Sequence, residues 1–154
     1  GVSDGNAVLS LSAGTYTLTI DADSGITGDY AFALLDLSSA TTITAGNDVT
    51  GTLAASHRMV VYEFTAASGD RFGFQSLDWT GDADATWRLV DSSGTVLTSG
   101  SLGASTGLFE LTSSGTFTLL IEGTLDDTPV TRPYAFRVEL LELTSTSTLS
   151  AFFF

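Results

Sequence analysis

The sequence contains one strand-like motif twice, about a hundred residues apart, and this repeat limits what the chain can fold into. The segment Gly14–Ile20 reads GTYTLTI, and the segment Gly115–Ile121 reads GTFTLLI. After a loop in each copy, Tyr30–Phe32 and Tyr134–Phe136 both read YAF. An offset of about 100 residues is the size of a small domain, whereas solenoid repeats are about 20 to 50 residues long. The sequence therefore predicts the end of one domain followed by a complete second copy.

Apolar and polar residues alternate along most of the chain, which is typical of half-buried β-strands. In the segment Arg71–Leu77, the inward candidates are Phe72 and Phe74, with Leu77 as an additional apolar candidate. Gly, Asp and Ser cluster between such segments, where tight turns need them. About eight strands between residues 50 and 143, separated by these turns, predict two packed four-stranded sheets. The predicted fold class is all-β: an antiparallel, jelly-roll-like β-sandwich, as one complete domain plus a partial copy.

The repeat also predicts the domain boundaries. Residues 1–45 are expected to hold the last three strands of one sandwich, including a strand at Thr15–Ile20, and the start of a Ser- and Thr-rich linker at Ser38–Asp48. Residues 46–144 are expected to form the complete sandwich. Three strands are too few for a closed two-sheet core, so the first copy needs strands from elsewhere to complete it.

The last ten residues, 145–154, are expected to be a second linker that leads into a further repeat or a donor-like strand. They end on Phe152, Phe153 and Phe154. Burying such side chains in a neighbouring molecule is favourable, and strand addition is a known way to do it. The three residues are therefore predicted assembly residues, and neighbouring copies of the chain, or adjacent repeats of a longer one, are the predicted partners.

The charge of the chain excludes several classes of partner. Its 18 Asp and Glu residues face only 5 Arg and no Lys, for a net charge of −13. Nucleic acids and anionic membrane surfaces are bound by clustered basic residues, so neither is an expected partner. There is no cysteine, which rules out disulfides and favours a bacterial or archaeal origin over a small secreted eukaryotic domain. No apolar run is long enough for a membrane-spanning helix.

Carboxylates gather in three predicted loops, where they are candidate ligands for Ca²⁺. This ion takes six to eight oxygen ligands in flexible geometry. The candidates are Asp21, Asp23 and Asp29 in the first-copy loop, Asp78, Asp82 and Asp84 around Gly81, and Glu122, Asp126 and Asp127 in the second-copy loop. The alternative is that Asp ends the strands and nucleates turns without binding metal.

Two further patterns in the sequence bear on its chemistry. Trp79 lies beside an acidic loop and is a candidate carbohydrate-stacking residue, whereas Trp87 alternates within a strand and is expected in the core. The segment Gly103–Gly107 fits the G-x-S-x-G pattern around Ser105 but is expected to be a loop between strands, and His57 is the single histidine. A nucleophile elbow needs a strained strand-to-helix turn. No enzymatic activity is therefore predicted.

Several segments of the chain together resemble the bacterial pre-peptidase C-terminal (PPC-like) domain. The start of that family is matched by Gly51–Leu53, Val61–Thr65 and Ser68–Asp70, its central strand pair by Asp84–Asp91 and Gly94–Leu97, and its closing strands by Gly115–Ile121 and Tyr134–Phe136. The resemblance covers residues 50–141, with a partial second match over residues 7–37. It implies a jelly-roll-like sandwich in secreted bacterial or archaeal proteins, sometimes with calcium, that binds or spaces rather than catalyses.

The predicted function is that of a structural repeat module in a secreted or cell-surface bacterial or archaeal protein. An adhesin, an extracellular fibre and a sheath are the kinds of protein expected, with self-assembly by strand complementation. The alternative is a carbohydrate- or matrix-binding module accessory to a secreted enzyme, with Trp79 contacting a glycan.

Overall fold

The computed structural model of the chain describes residues 9, 11–19, 28, 34–54, 59–81, 85–123 and 131–142. Within these residues lie nine β-strands and a short 3-10 helix at Leu37–Ser39. In chain order the strands are β1 (Thr41–Thr42), β2 (Asp48–Leu53), β3 (Met59–Ala66), β4 (Arg71–Trp79), β5 (Thr86–Val90), β6 (Val96–Ser101), β7 (Phe109–Glu110), β8 (Gly115–Glu122) and β9 (Arg132–Leu141).

The strands form two packed sheets with the connectivity of a jelly roll. The five-stranded sheet has the order β1-β3-β8-β5-β6, and the four-stranded sheet has the order β2-β9-β4-β7. All neighbouring pairs are antiparallel except β1 with β3. Without β1, the eight remaining strands follow the double Greek-key order of a jelly roll. The predicted antiparallel, jelly-roll-like β-sandwich is therefore confirmed, with one parallel edge strand added.

Aromatic side chains from both sheets meet in the core. Phe74 of β4 stacks on Trp87 of β5 with ring centroids 4.8 Å apart, and on Phe136 of β9 at 5.2 Å. The ring of Tyr62, from β3, meets Phe136 edge-on at 5.3 Å. The Tyr62 and Tyr134 hydroxyls are hydrogen-bonded at 2.7 Å and buried between the sheets. Burial, together with this hydrogen bond, raises the pKa of Tyr134 well above its usual range.

Glycine lies opposite two of the largest rings. Gly51 of β2 is paired with Tyr134 of β9, and Gly100 of β6 is paired with Trp87 of β5. A Cβ added at Gly51 would lie 2.5 Å from Cζ and 2.9 Å from Cε2 of Tyr134, and one added at Gly100 would lie 3.0 Å from the Trp87 indole. The rings therefore cover the backbone of the neighbouring strand, which requires a residue without a side chain there.

Leu77 is not an inward residue. Phe72 and Phe74 are buried as predicted, but Leu77 remains 39% exposed. It lies three residues after Phe74, so the two-residue period of a strand places it on the opposite face, and the prediction of an inward Leu77 was wrong for this reason. The pairing of β4 with β9 also shifts register between Ser76 and Asp78, so Leu77 is the extra residue of a bulge.

The predicted partial copy at residues 7–37 has no strand over its described residues. Residues 11–19 are exposed and assigned to no strand, and Tyr16 donates a hydrogen bond to the Ser12 carbonyl at 2.6 Å. The strand predicted at Thr15–Ile20 is thus not formed over its described residues, because none of the described strands pairs with them. The remaining part of the predicted partial copy and the predicted segment 145–154 lie outside the described residues, and both assignments stay predictions.

We predict that Gly51→Ala destabilises the fold by about 1 to 3 kcal/mol, because overpacking a core has this cost. Tyr134 cannot move aside, since its hydroxyl is bonded to Tyr62 and the residue is only 2% exposed. Urea denaturation followed by tryptophan fluorescence measures the loss. The control is Thr50→Ala, at an exposed position of the same strand. Equal midpoints for the two variants would contradict the proposed close approach.

Candidate functional site

The outer face of the five-stranded sheet is apolar at its centre. Val61 of β3, Val90 of β5 and Leu120 of β8 form a cluster that is separate from the sandwich core, with exposed fractions of 6%, 1% and 2%. We call this cluster the docking face. In a sandwich, the outer face of a sheet is ordinarily polar and in contact with water. Its burial here means that other parts of the chain cover it.

Residues 34–45, which we call the entry segment, contribute to this cover. Leu35, Leu37 and Ala40 pack against the docking face. Leu37 and Leu9 also line a groove of about 220 Å³ that reaches Val90. The entry segment is therefore packed on the outer face of the five-stranded sheet.

A capped 3-10 helix orients the apolar side chains of the entry segment. Asp36 precedes the helix, and its Oδ1 accepts a hydrogen bond from the backbone N–H of Ser38 at 2.9 Å. The hydrogen bonds from Ser38 lower the pKa of the Asp36 carboxyl. Asp at such a position satisfies a backbone donor that the helix itself leaves free. The turn lies between Leu35 and Ala40, two of the residues that contact the sheet.

The entry segment then joins the sheet directly through β1. Thr41 and Thr42 pair in parallel with β3. The Thr42 hydroxyl donates to Glu63 Oε1 at 2.9 Å, and the backbone N–H of Ile43 donates to the Glu63 carbonyl at 2.8 Å. Ile43 and Ala45 pack against the sandwich core. The segment predicted as a linker at Ser38–Asp48 thus contributes a strand and core side chains, and the ordered sheet starts before residue 46.

A buried ion pair lies on the same side of the five-stranded sheet. Arg88 of β5 donates to both carboxylate oxygens of Glu122 of β8, through Nε at 2.6 Å and Nη2 at 2.6 Å. The side chains are 13% and 8% exposed. A bidentate guanidinium–carboxylate pair satisfies both groups with defined geometry, and such pairing is what makes burial of the charges tolerable.

Glu122 was predicted as a calcium ligand, and here it is a partner of Arg88. The described part of the chain contains no group of three or more His, Asp or Glu residues placed to hold a metal ion. Most of the predicted ligands lie outside the described residues: Asp21, Asp23, Asp29, Asp82, Asp84, Asp126 and Asp127. Calcium binding by the three loops stays a prediction.

Trp79 and Asp78 lie at the end of β4. Asp78 is exposed, and Trp79 is half-buried and packs against the core. A Cβ added at Gly103 would lie 3.0 Å from the Trp79 ring, and one added at Gly81 would overlap it. The two glycines therefore accommodate the indole against the local backbone. Carbohydrate stacking by Trp79 stays a prediction, as does the assembly role of Phe152, Phe153 and Phe154, which lie outside the described residues.

Ser105 has a structural role in the described sandwich. Its hydroxyl oxygen accepts a hydrogen bond from the backbone N–H of Ser76 at 3.1 Å. The next residue, Thr106, donates its own N–H to the Phe74 carbonyl at 2.8 Å. The G-x-S-x-G segment is a loop that runs along β4, as predicted, and no strand-to-helix turn is found at this position.

Sequence reasoning missed the docking face and the ion pair. A signal for the docking face was present: Val60, Val61 and Tyr62 in β3, like Leu119–Ile121 in β8, are apolar on consecutive positions. Such runs are typical of strands that are buried on both faces. The ion pair has no local signal, because its two residues become neighbours only through the pairing of β5 with β8.

Two solved structures show what this fold is similar to. One is the periplasmic lysozyme inhibitor PliG of Aeromonas hydrophila, an inhibitor of g-type lysozyme: identity is 10%, the TM-score is 0.54, and the match covers 66% of this chain and 95% of that one. The other is the pre-peptidase C-terminal domain of a collagenase from Bacillus anthracis. Here identity is 21%, the TM-score is 0.52, and the match covers 65% of this chain and 94% of that one. No protein-family model and no curated protein matches the sequence.

The comparison confirms the predicted resemblance at the level of fold. Both similar structures are covered nearly completely by about two thirds of this chain. The likeness therefore extends over nearly the whole of each of those two chains, and it concerns fold alone. Among the described residues, no helix is long and apolar enough to cross a membrane.

We predict that Glu122→Gln destabilises the protein by about 3 to 5 kcal/mol, because it leaves the Arg88 charge buried beside a neutral partner. Glu139→Gln is the matched control. It alters a pair with Arg137 at 3.7 Å whose side chains are 42% and 33% exposed, and exposed pairs contribute at most about 1 kcal/mol. Thermal and urea unfolding of both variants measure the difference. Similar losses of stability in Glu122→Gln and Glu139→Gln would show that the buried pair contributes no more to stability than the exposed one.

Proposed function

We propose that this chain is a non-catalytic structural module of a secreted or cell-surface bacterial or archaeal protein, which holds the chain before it at a fixed position. The observation that supports this proposal is the entry segment. Leu35, Leu37 and Ala40 pack on the docking face, and the following residues pair with β3. A flexible linker would let neighbouring domains reorient freely. A segment packed in this way sets a direction as well as a distance.

The proposed setting is extracellular or periplasmic. The chain has no cysteine, so its fold is held without disulfides. The interleaved rings of the core supply the internal cohesion instead. The solved structures of similar fold come from a periplasmic inhibitor and a domain of a collagenase, which agrees with this setting.

The finer assignment is a repeat of an adhesin, fibre or sheath whose copies associate with one another. Its support is the repeated strand motif in the sequence, Gly14–Ile20 and Gly115–Ile121. Repetition places equal modules in series, and a packed entry segment would make the series stiff. The glycan-binding alternative rests on Trp79, and its contacts with Gly81 and Gly103 already give the ring a packing role.

A fixed entry segment should be visible in hydrogen exchange. We predict that the amide of Ile43, bonded to the Glu63 carbonyl at 2.8 Å, exchanges nearly as slowly as core amides of β3. Its protection should fall together with that of β3 when urea is added, since elements that open together share one free energy. Exchange at the rate of an unstructured peptide would contradict the proposed function.

The matched variants are Leu37→Ser and Leu34→Ser. Leu37 packs on the docking face, whereas Leu34 is 77% exposed. We expect Leu37→Ser to accelerate exchange at Thr41–Ile43 without unfolding the sandwich, and Leu34→Ser to leave it unchanged. Equal effects would mean that the apolar contact does not hold the segment.

Calcium binding by the acidic loops is part of the same proposal. One of its candidate residues, Asp78, is exposed at the end of β4. Because a ligand that binds only the folded state stabilises it, we expect a higher melting temperature in millimolar Ca²⁺ than in chelator. Mg²⁺ at equal concentration is the control for general charge screening. An identical melting temperature in all three solutions would remove calcium from the proposal.

A further inference from the structure

Strand β6 forms an open edge of the five-stranded sheet. It pairs with β5 on one side, and no described strand pairs with its other side. Such an edge presents unpaired backbone N–H and C=O groups, which are a template for pairing with another strand. Natural β-proteins usually protect these edges with charged residues, proline, bulges or very short strands.

The other three edges of the sandwich are shorter or carry charge. Strands β1 and β7 have two residues each. Beyond β7, the loop at Ser105 and Thr106 continues along β4 through its own hydrogen bonds. Strand β2 begins with Asp48, which forms an ion pair with Arg137. Strand β6 has six residues, VLTSGS, without charge or proline. Leu97 is the extra residue of a bulge opposite Leu89 and Val90, so the regular part of this edge is Thr98–Ser101.

The register shows which backbone groups of β6 are directed outward. Just beyond β6, Leu102 donates its N–H to the Ala85 carbonyl at 2.9 Å. In the pairing of β6 with β5, every second residue back from Leu102 is therefore hydrogen-bonded to β5. Gly100, which lies opposite Trp87, is one of these residues. In an antiparallel ladder the intervening residues point the other way, so the N–H and C=O of Ser99 face the open side.

The charge distribution indicates what kind of partner suits this edge. Residues 92–109 contain no ionisable side chain, although the chain as a whole carries −13. The stretch includes β6, the loop along β4 and the first residue of β7. A basic partner would be attracted most strongly to the acidic surfaces outside residues 92–109. An uncharged edge instead suits a partner of the same negative charge, because like charges repel least where both surfaces are neutral.

We infer that β6 pairs antiparallel with β6 of a second copy of this chain, about a two-fold axis next to Ser99. The pairing is self-complementary: each Ser99 donates its N–H to the carbonyl of Ser99 in the partner copy and accepts in return. Two five-stranded sheets then form one continuous sheet of ten strands. This inference rests on the proposed function as a structural module whose copies associate, and it names the surface that they use.

The association is expected to be weak and to depend on salt. A contact through one short strand is smaller than the interfaces of stable dimers. Two molecules of charge −13 also repel at long range. Raising the ionic strength from about 0.01 M to about 0.1 M shortens the screening length from about 30 Å to about 10 Å, so the dimer fraction should increase. Sedimentation equilibrium of the full chain, at concentrations up to about 1 mM, measures this.

Ser99→Pro tests the proposed hydrogen bonds. Proline removes the outward N–H of residue 99, and at an edge with the N–H facing solvent it is tolerated. We expect an unchanged fold and a dimer dissociation constant at least about tenfold higher, since both symmetry-related donors are lost. A folded Ser99→Pro chain that dimerises like the natural sequence would overturn the inference.

A charge pair provides a second test that does not depend on proline. Residues 99 of two copies would lie directly opposite, so Ser99→Glu alone and Ser99→Lys alone should each weaken the dimer, and an equimolar mixture of the two should restore it. Thr52 is an exposed residue of β2, away from this edge. Thr52→Glu adds the same charge there and should weaken the dimer less than Ser99→Glu does. A mixture no stronger than either variant overturns the inference.

The outcomes separate this inference from the proposed function. A natural chain that stays monomeric at every concentration and salt, while the Ile43 amide remains protected, overturns β6 pairing and leaves the structural module in place. A dimer that depends on Ser99, combined with rapid exchange at Ile43, supports the edge contact and contradicts the fixed entry segment.

Discussion

The interleaving of aromatic rings between the two sheets is the interaction on which the rest of the structure depends. The stack of Trp87, Phe74 and Phe136 crosses from one sheet to the other with centroid separations of 4.8 Å and 5.2 Å. No disulfide holds the sheets together, because the chain has no cysteine. Large rings also fix the strand register at the rim of the sandwich. Gly51 must lie opposite Tyr134 and Gly100 opposite Trp87, because any side chain at these positions would clash with the ring.

Most of the sandwich could be predicted from the sequence because each strand carries its own signal. Alternation identified Phe72 and Phe74 as buried, and the turn residues separated the strands correctly. Leu77 was misplaced because its apolar side chain suggested burial, although the two-residue period puts it on the face opposite Phe74. The bulge at this position could not be predicted, because it depends on how β4 pairs with β9. The Arg88–Glu122 pair could not be predicted from local sequence either. Its two residues are 34 positions apart and become neighbours only through the register of β5 and β8.

The entry segment escaped prediction for a different reason. Its residues 38–45 are all Ser, Thr or Ala except Ile43, which is typical of a linker, and its apolar residues do not keep the regular period of a strand or a helix along the segment. The sequence signal for its position lies in the docking face that it covers. Val61 and Leu120 face away from the core, and each fully buried side chain of this type contributes about 1.5 to 3 kcal/mol. An apolar outer face therefore predicts a cover, although not which part of the chain supplies it.

The two outer faces of the sandwich consequently have different uses. The outer face of the five-stranded sheet is occupied by the entry segment around an apolar centre. On the four-stranded sheet, Arg137 lies between Asp48 and Glu139 at the surface, and this face stays in contact with water. A module with one covered and one solvated face leaves its open edges as the places where the backbone can still pair.

The lack of lysine bears on those edges. Lysine is the side chain most often used to keep edge strands apart, because its charge and length oppose pairing. This chain has none, and its acids are absent from residues 92–109. The negative charge therefore keeps the faces of two molecules apart and leaves the regular part of β6, Thr98–Ser101, without a charge that opposes pairing. In the proposed dimer, repulsion does not merely oppose association. It also favours the orientation that brings the uncharged edges of two copies toward each other.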